Sequence, residues 1–291
     1  YKDADQKTDD LYFKVSKDGE TYEFCVEFYL CGNDTEVYKA VEALNVGDVI
    51  DVEGFLYWYN GLNPHVTKVT AVASAEPSPA DAGIMSYAEF EAAEMDTEIT
   101  VETYFQAAQS WWQDSASIYT QTPDGAYFLY GAACSQEDYD KLVPGVKMLV
   151  TGYKAEWGGE IELADATFEI IDDGDTFIAE ATDVTDALGS DDIVKYQNML
   201  VKFSEVTVEA YDESGAAFAY KDADQKTDDL YFKVSKDGET YEFCVEYYLC
   251  NEETDVYKAV EALKVGDVID VEGFLYWYNG INPHVTQVTV K

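Results

Sequence analysis

Val46-Gly47-Asp48-Val49-Ile50-Asp51-Val52-Glu53-Gly54-Phe55-Leu56-Tyr57-Trp58-Tyr59-Asn60-Gly61 decides the fold, because the chain carries it twice. It recurs unchanged from Val265 to Gly280. Gly47-Asp48 reads as a turn, and the residues after it alternate with the period of a strand. Ile50, Val52, Leu56 and Trp58 fall on one face; Asp51, Glu53, Phe55, Tyr57 and Tyr59 fall on the other. Asn60-Gly61 then predicts a tight hairpin, since a type I′ turn needs positive φ at both central residues.

Working outward, residues 1–71 repeat at 220–290 with an offset of 219. Repetition of this kind marks a tandem array. In the C-terminal copy Met199, Val201 and Phe203 alternate, and Val206, Val208 and Ala210 continue with shifted parity. One extra residue near Ser204-Glu205, a β-bulge, accounts for the shift. Leu230, Phe232 and Val234 begin a second strand, Lys236-Asp237-Gly238 turns, and Tyr241 to Leu249 forms a third. Val256, Ala259, Val260 and Leu263 then fall at helical spacing. The Trp277 strand is fourth, and Ile281 to Val290 is fifth. Three strands, a helix and a two-strand hairpin is the order of the OB-fold, a five-stranded Greek-key barrel.

The middle of the chain follows the same order with different residues. Ser86 and Glu89 form a capping box for a helix through Glu94. Glu98 to Trp112 is a first strand, and Pro123-Asp124-Gly125 turns between a second and a third. Ser135 with Asp138 caps a short helix, and Gly158-Gly159 closes a last hairpin. The expected fold class is therefore all-β with short helices: tandem five-stranded OB-fold barrels in an A–B–A arrangement. Residues 1–73 form a copy of A lacking its first strand, residues 85–171 a diverged B, and residues 193–291 a complete A. The acidic stretch Asp172-Asp173-Gly174-Asp175 and the proline-bearing Ser74 to Ala80 read as linkers. The missing strand is expected from an upstream repeat or from another copy of the chain.

Ser86-Tyr87-Ala88-Glu89-Phe90, Asp124-Gly125-Ala126-Tyr127-Phe128, Gly152-Tyr153-Lys154-Ala155-Glu156-Trp157 and Glu272 to Gly280 resemble secreted or lipoprotein-anchored OB-fold repeat proteins of anaerobic Gram-positive bacteria. The resemblance covers most of the chain. It implies an extracellular or cell-surface location and no established activity, so it assigns no catalytic residue.

Charge and composition narrow the function. Acidic residues number 59 against 18 basic ones, for a net charge of −41, and there is no arginine. Phosphate-binding surfaces need positive charge, so nucleic acid is not an expected partner. Glu23, Cys25, Glu27 and Tyr29, on the outward face of a third strand, add carboxylates where OB-folds hold oligonucleotides. Cys25 and Cys31 are too far apart along a strand to be bridged, and the five cysteines read as buried free thiols. His65 and His284 are the only histidines, one in each A copy. Neither has a zinc-ligand cluster or a nucleophile motif beside it, so no enzyme is expected.

Two candidate sites remain. Tyr57, Tyr59, Trp157, Tyr276 and Tyr278 lie near the hairpin between strands four and five, where aromatic rings can stack a ligand. Asp3, Asp5 and Asp9, repeated as Asp222, Asp224 and Asp228, could offer oxygens to calcium, although a solvated turn is the simpler reading. The expected function is a non-enzymatic extracellular spacer, adhesin stalk or filament-forming subunit without cofactor. The alternatives are a surface module binding glycan or another neutral ligand at the aromatic edge and, ranked lower, an oligonucleotide-binding module.

Overall fold

The structure is a computed structural model, and it describes residues 9–17, 20–44, 49–58, 63–73, 83–222 and 227–291. The chain divides into two compact units, Tyr1–Ala82 and Gly83–Lys291.

In unit 1 the elements are β1 (Leu11–Lys17), β2 (Glu20–Val26), α1 (Glu36–Glu42), β3 (Val49–Phe55) and β4 (His65–Ala73). They form a sheet in the order β1-β2-β4-β3. Among the described residues no fifth strand joins β1 to β3. Leu11, Val26, Cys31, Val37, Tyr38 and Val66 make the core. Thr35 caps α1, its hydroxyl accepting from the Tyr38 N–H at 3.4 Å. Asp10 tethers the strand end: its carboxylate accepts from the Phe28 N–H at 2.9 Å. Gly54 is required because β4 passes so close that a Cβ there would lie 2.3 Å from the His65 carbonyl oxygen. The alternation expected to reach Tyr59 stops at Phe55, after a register shift at Glu53/Gly54.

Unit 2 contains two barrels. The first is built from α2 (Tyr87–Ala92), β5 (Glu98–Ala108), β6 (Ser115–Gln121), β7 (Ala126–Ala133), α3 (Gln136–Tyr139), β8 (Val146–Trp157) and β9 (Glu160–Thr176). Its strands close in the order β5-β6-β7-β9-β8, with β7 and β9 parallel. The capping box at Ser86 and Glu89 is present. The buried Lys154 ends α2, its ammonium donating to the carbonyls of Phe90, Glu91 and Ala93 at 2.8, 2.9 and 2.9 Å.

Two expected boundaries move in this barrel, and in the C-terminal copy the strand expected from Tyr241 to Leu249 ends at Val245. β5 ends at Ala108 rather than Trp112, because the backbone turns outward so that the Ser110 N–H reaches the Tyr248 carbonyl at 2.7 Å. The acidic stretch from Asp172 is no linker but the end of β9. Lys147 gathers it, pairing with Glu102, Asp173 and Asp175 at 3.1, 3.0 and 3.8 Å.

The second barrel follows β10 (Thr182–Asp183) with β11 (Leu200–Glu209), β12 (Phe218–Tyr220), β13 (Leu230–Lys236), β14 (Glu239–Val245), α4 (Asp255–Glu261), β15 (Val268–Phe274) and β16 (His284–Val290). β11 pairs with both β13 and β15, which closes the ring. The register shifts between Phe203 and Val206, and Glu205 takes φ 54 there, so the bulge lies where the alternation changes parity. Both barrels have the OB strand order, with the helix between the third and fourth strands. Phe203, Phe232, Phe243, Tyr257 and Val271 fill the second core. All five cysteines are buried, and none is in a disulfide.

Candidate functional site

The two barrels of unit 2 meet through aromatic rings. Tyr119, fully buried on β6, stacks on Phe274 with centroids 4.3 Å apart and planes 9° apart. Its hydroxyl shares a 2.6 Å hydrogen bond with His284 Nδ1. Tyr276 stacks against His284, at 4.2 Å and 22°, and meets Phe128 edge-on at 5.4 Å. Such pairs contribute about 0.5–1.5 kcal/mol each beyond their buried area.

The β8–β9 hairpin locks the arrangement. Gly158 and Gly159 adopt φ 61 and φ 91, so the turn needs residues without a side-chain penalty. A Cβ on Gly159 would meet Trp277 at 2.6 Å. The Asn279 N–H donates to the Gly158 carbonyl at 2.6 Å, and the Gln197 amide to the Gly159 carbonyl at 2.8 Å. Glu160 is wholly buried here. Its carboxyl accepts from the Trp277 N–H at 2.8 Å and from Gln197 at 3.2 Å. Burial pushes this carboxyl up to about 8.

Beside this contact lies a cleft of about 890 Å³. The first barrel contributes Tyr130, Trp157 and Glu162. The second contributes a face of β13 and β14 (Tyr231, Glu242 and Cys244) and Glu246 just beyond β14, together with Tyr276 and Tyr278. Tyr211, Tyr220, Lys221 and Asp229 complete its far wall. Asp229 is committed: one oxygen accepts from the Tyr247 N–H at 2.9 Å and the other holds Lys221 at 2.9 Å. Glu246 accepts from the Leu249 N–H at 2.7 Å, and burial, followed by the charge of Asp229, pushes it up to about 7. Burial holds the Cys244 thiol well above its usual range and lowers His284 to about 3. At neutral pH the site therefore offers neutral thiol, neutral imidazole, phenols and carboxyl groups. It is suited to stacking and to accepting hydrogen bonds.

The expected residues distribute as follows. Trp157 and Tyr278 line the cleft and are 65% and 55% exposed; Tyr276 lines it half-buried. Tyr57 lies in unit 1, its ring 4.3 Å from that of His65. Tyr59 falls outside the described residues, as do Asp3, Asp5 and Asp224. Asp9 and Asp228 each accept the N–H of the next residue at 2.8 Å, and Asp222 lies at the surface. Among the described residues no three His, Cys, Asp or Glu side chains converge to hold a metal ion. Tyr130, Tyr211, Tyr220, Tyr231 and Glu162 escape the sequence reading. For Tyr231 the signal was available in the alternation of its strand. Glu162 becomes part of a site only when a second barrel is set beside it.

No family model matches the sequence, and no curated protein matches it either. Matches among solved structures include a murine DNA-binding protein bound with double-stranded DNA, 12% identical over 66% of this chain and 97% of that one, TM-score 0.31. The Ifi202 HINa domain in complex with a 20-base-pair duplex is 12% identical over 68% and 96%, TM-score 0.29. A replication protein A heterotrimer bound to single-stranded DNA is 8% identical over 99% and 94%, TM-score 0.23.

The expected spacer, stalk or filament subunit with no nucleic-acid partner is corrected here. The similar structures are of proteins held on double- and single-stranded DNA. Unit 2 also builds an open aromatic cleft where a stalk needs only a closed surface.

Proposed function

We propose that the chain is a reversible ligand-binding module whose site is the cleft between the two barrels of unit 2. The observation that carries this reading is the convergence of Tyr130, Trp157, Tyr276 and Tyr278 with buried carboxyl groups on one 890 Å³ cleft. Exposed rings exact a solvation cost that a stacking ligand removes. The carboxyl groups accept hydrogen bonds that fix the ligand's orientation. Oligosaccharides satisfy both demands, since a sugar ring offers an apolar face and hydroxyl donors.

Single-stranded oligonucleotide is the second reading. Tyr231, Glu242 and Cys244 come from the second and third strands of their barrel, the face on which OB-folds hold oligonucleotides, and Glu246 directly follows the third. Bases stack on aromatic side chains with about 1–3 kcal/mol each.

Calorimetric titration with an oligosaccharide panel and with single-stranded oligonucleotides tests both. Binding is expected from one class, and the double variant Trp157→Ala, Tyr278→Ala is expected to weaken it at least tenfold. Binding that this double variant leaves unchanged would place the site elsewhere.

A further inference from the structure

One carboxyl in the cleft has no partner among the described residues. Glu162 on β9 is 8% exposed and faces the cleft. Its neighbours are differently placed. Glu160, two residues earlier, lies behind the cleft lining and takes the Trp277 and Gln197 donors on one oxygen, Oε2. Asp229 holds Lys221 and the Tyr247 N–H, Glu246 holds the Leu249 N–H, and Glu242 lies close enough to the Tyr211 hydroxyl to raise its pKa. Among the described residues the Glu162 carboxyl has neither a hydrogen bond nor an ion pair, and burial alone shifts its titration upward. Burying a carboxylate without a counter-charge is expensive. A cation from outside the chain would supply the missing counter-charge.

The surroundings specify what kind. Glu162, Tyr130 and Tyr278 all lie near enough to Tyr276 to act on its hydroxyl electrostatically. Trp157, from the same barrel as Glu162, also lines the cleft. Among the described residues the cleft holds four carboxyl groups against a single lysine, and that lysine is already paired with Asp229. Aromatic rings around a carboxylate attract a cation twice, through the ring quadrupole and through direct charge. A hydroxylated neutral ligand would use only the hydrogen bond.

Resting on the reading of the cleft as the ligand site, we infer that it seats an alkylammonium group on Glu162, within the rings of Tyr130, Trp157, Tyr276 and Tyr278. The group could be carried by a free amine or by a lysine side chain, and the two sources are separable.

The test uses the full chain at neutral pH and physiological salt, read through tryptophan fluorescence and calorimetry. The probes are n-butylammonium and its neutral isostere n-butanol. A capped Gly-Gly-Lys-Gly-Gly peptide and its acetyl-lysine counterpart report on the second source. The ammonium forms are expected to bind at least tenfold more tightly than the neutral ones. Glu162→Gln is expected to remove that preference, with its fold checked by circular dichroism and melting. Tyr278→Ala, at an exposed ring, is expected to weaken ammonium binding at least threefold. Glu36→Gln, in unit 1, should change nothing. The inference is overturned if n-butanol binds as well as the ammonium, or if Glu162→Gln keeps the preference. Equal losses in Glu36→Gln and Glu162→Gln would also overturn it, since they would mark diffuse attraction to the acidic surface. If saccharides or oligonucleotides bind at the cleft and ammonium does not, this inference alone fails. If no probe of either set reaches the cleft, the proposed function fails with it.

Discussion

At the scale of a residue, Glu160 gives the structure a pH dependence of definite sign. An unfolded glutamate titrates near 4.3, and burial between the barrels raises the folded value to about 8. Between those values the folded form holds a proton that the unfolded form has lost. The stability tied to this group is therefore complete below the unfolded value and disappears as pH rises through 8. Glu246, pushed up to about 7, acts in the same direction. A tenfold difference in proton affinity between the folded and unfolded chain corresponds to about 1.4 kcal/mol. The melting midpoint of unit 2 is expected to fall from about pH 6 to about pH 9, and Glu160→Gln, which keeps the shape and cannot ionise, to flatten the fall. A variant melting with the parent's pH slope would show that Glu160 is not the group responsible.

At the scale of an element, the same four residues meet opposite fates. Phe55-Leu56-Tyr57-Trp58 and Phe274-Leu275-Tyr276-Trp277 are identical in sequence. Yet Phe55 and Leu56 are 67% and 80% exposed, whereas Phe274 and Leu275 are 3% and 0% exposed. Phe274 is covered by Tyr119 of the neighbouring barrel. Leu275 is covered by the chain around Met199, whose carbonyl accepts the Leu275 N–H at 3.0 Å. Phe274→Ala is therefore expected to cost about 3–5 kcal/mol in denaturant unfolding, the range for a buried phenylalanine. Phe55→Ala is expected to stay within about 0.5 kcal/mol. Equal effects would contradict the assigned burial. This contrast also bounds what periodicity can show. The strand order, the helix caps at Ser86 and Ser135 and the bulge at Glu205 are local, and local patterns announce them. The length of β9 is not local, because Lys147 on another strand collects its acidic end. The burial of Phe274 depends on a different barrel altogether.

At the scale of the molecule, the candidate site rests on a relation between barrels that no single repeat contains. The aromatic hairpin residues Trp157, Tyr276 and Tyr278 were legible from their place beside strand four. Their gathering with Tyr130 and Glu162 was not, since that takes the contact through Tyr119, His284 and Glu160. The tryptophans offer a direct readout of where a ligand sits. There are five: Trp58 in unit 1, and Trp111, Trp112, Trp157 and Trp277 in unit 2. Of these Trp157 alone lines the cleft. The decisive measurement is a fluorine NMR titration of the full chain labelled with 5-fluorotryptophan, using whichever ligand binds in calorimetry. The account predicts a saturable shift of the Trp157 resonance, a smaller one at Trp277 beneath the hairpin, and none at Trp58 or Trp112. Saturation that moves Trp58 or Trp112 and leaves Trp157 in place would contradict it.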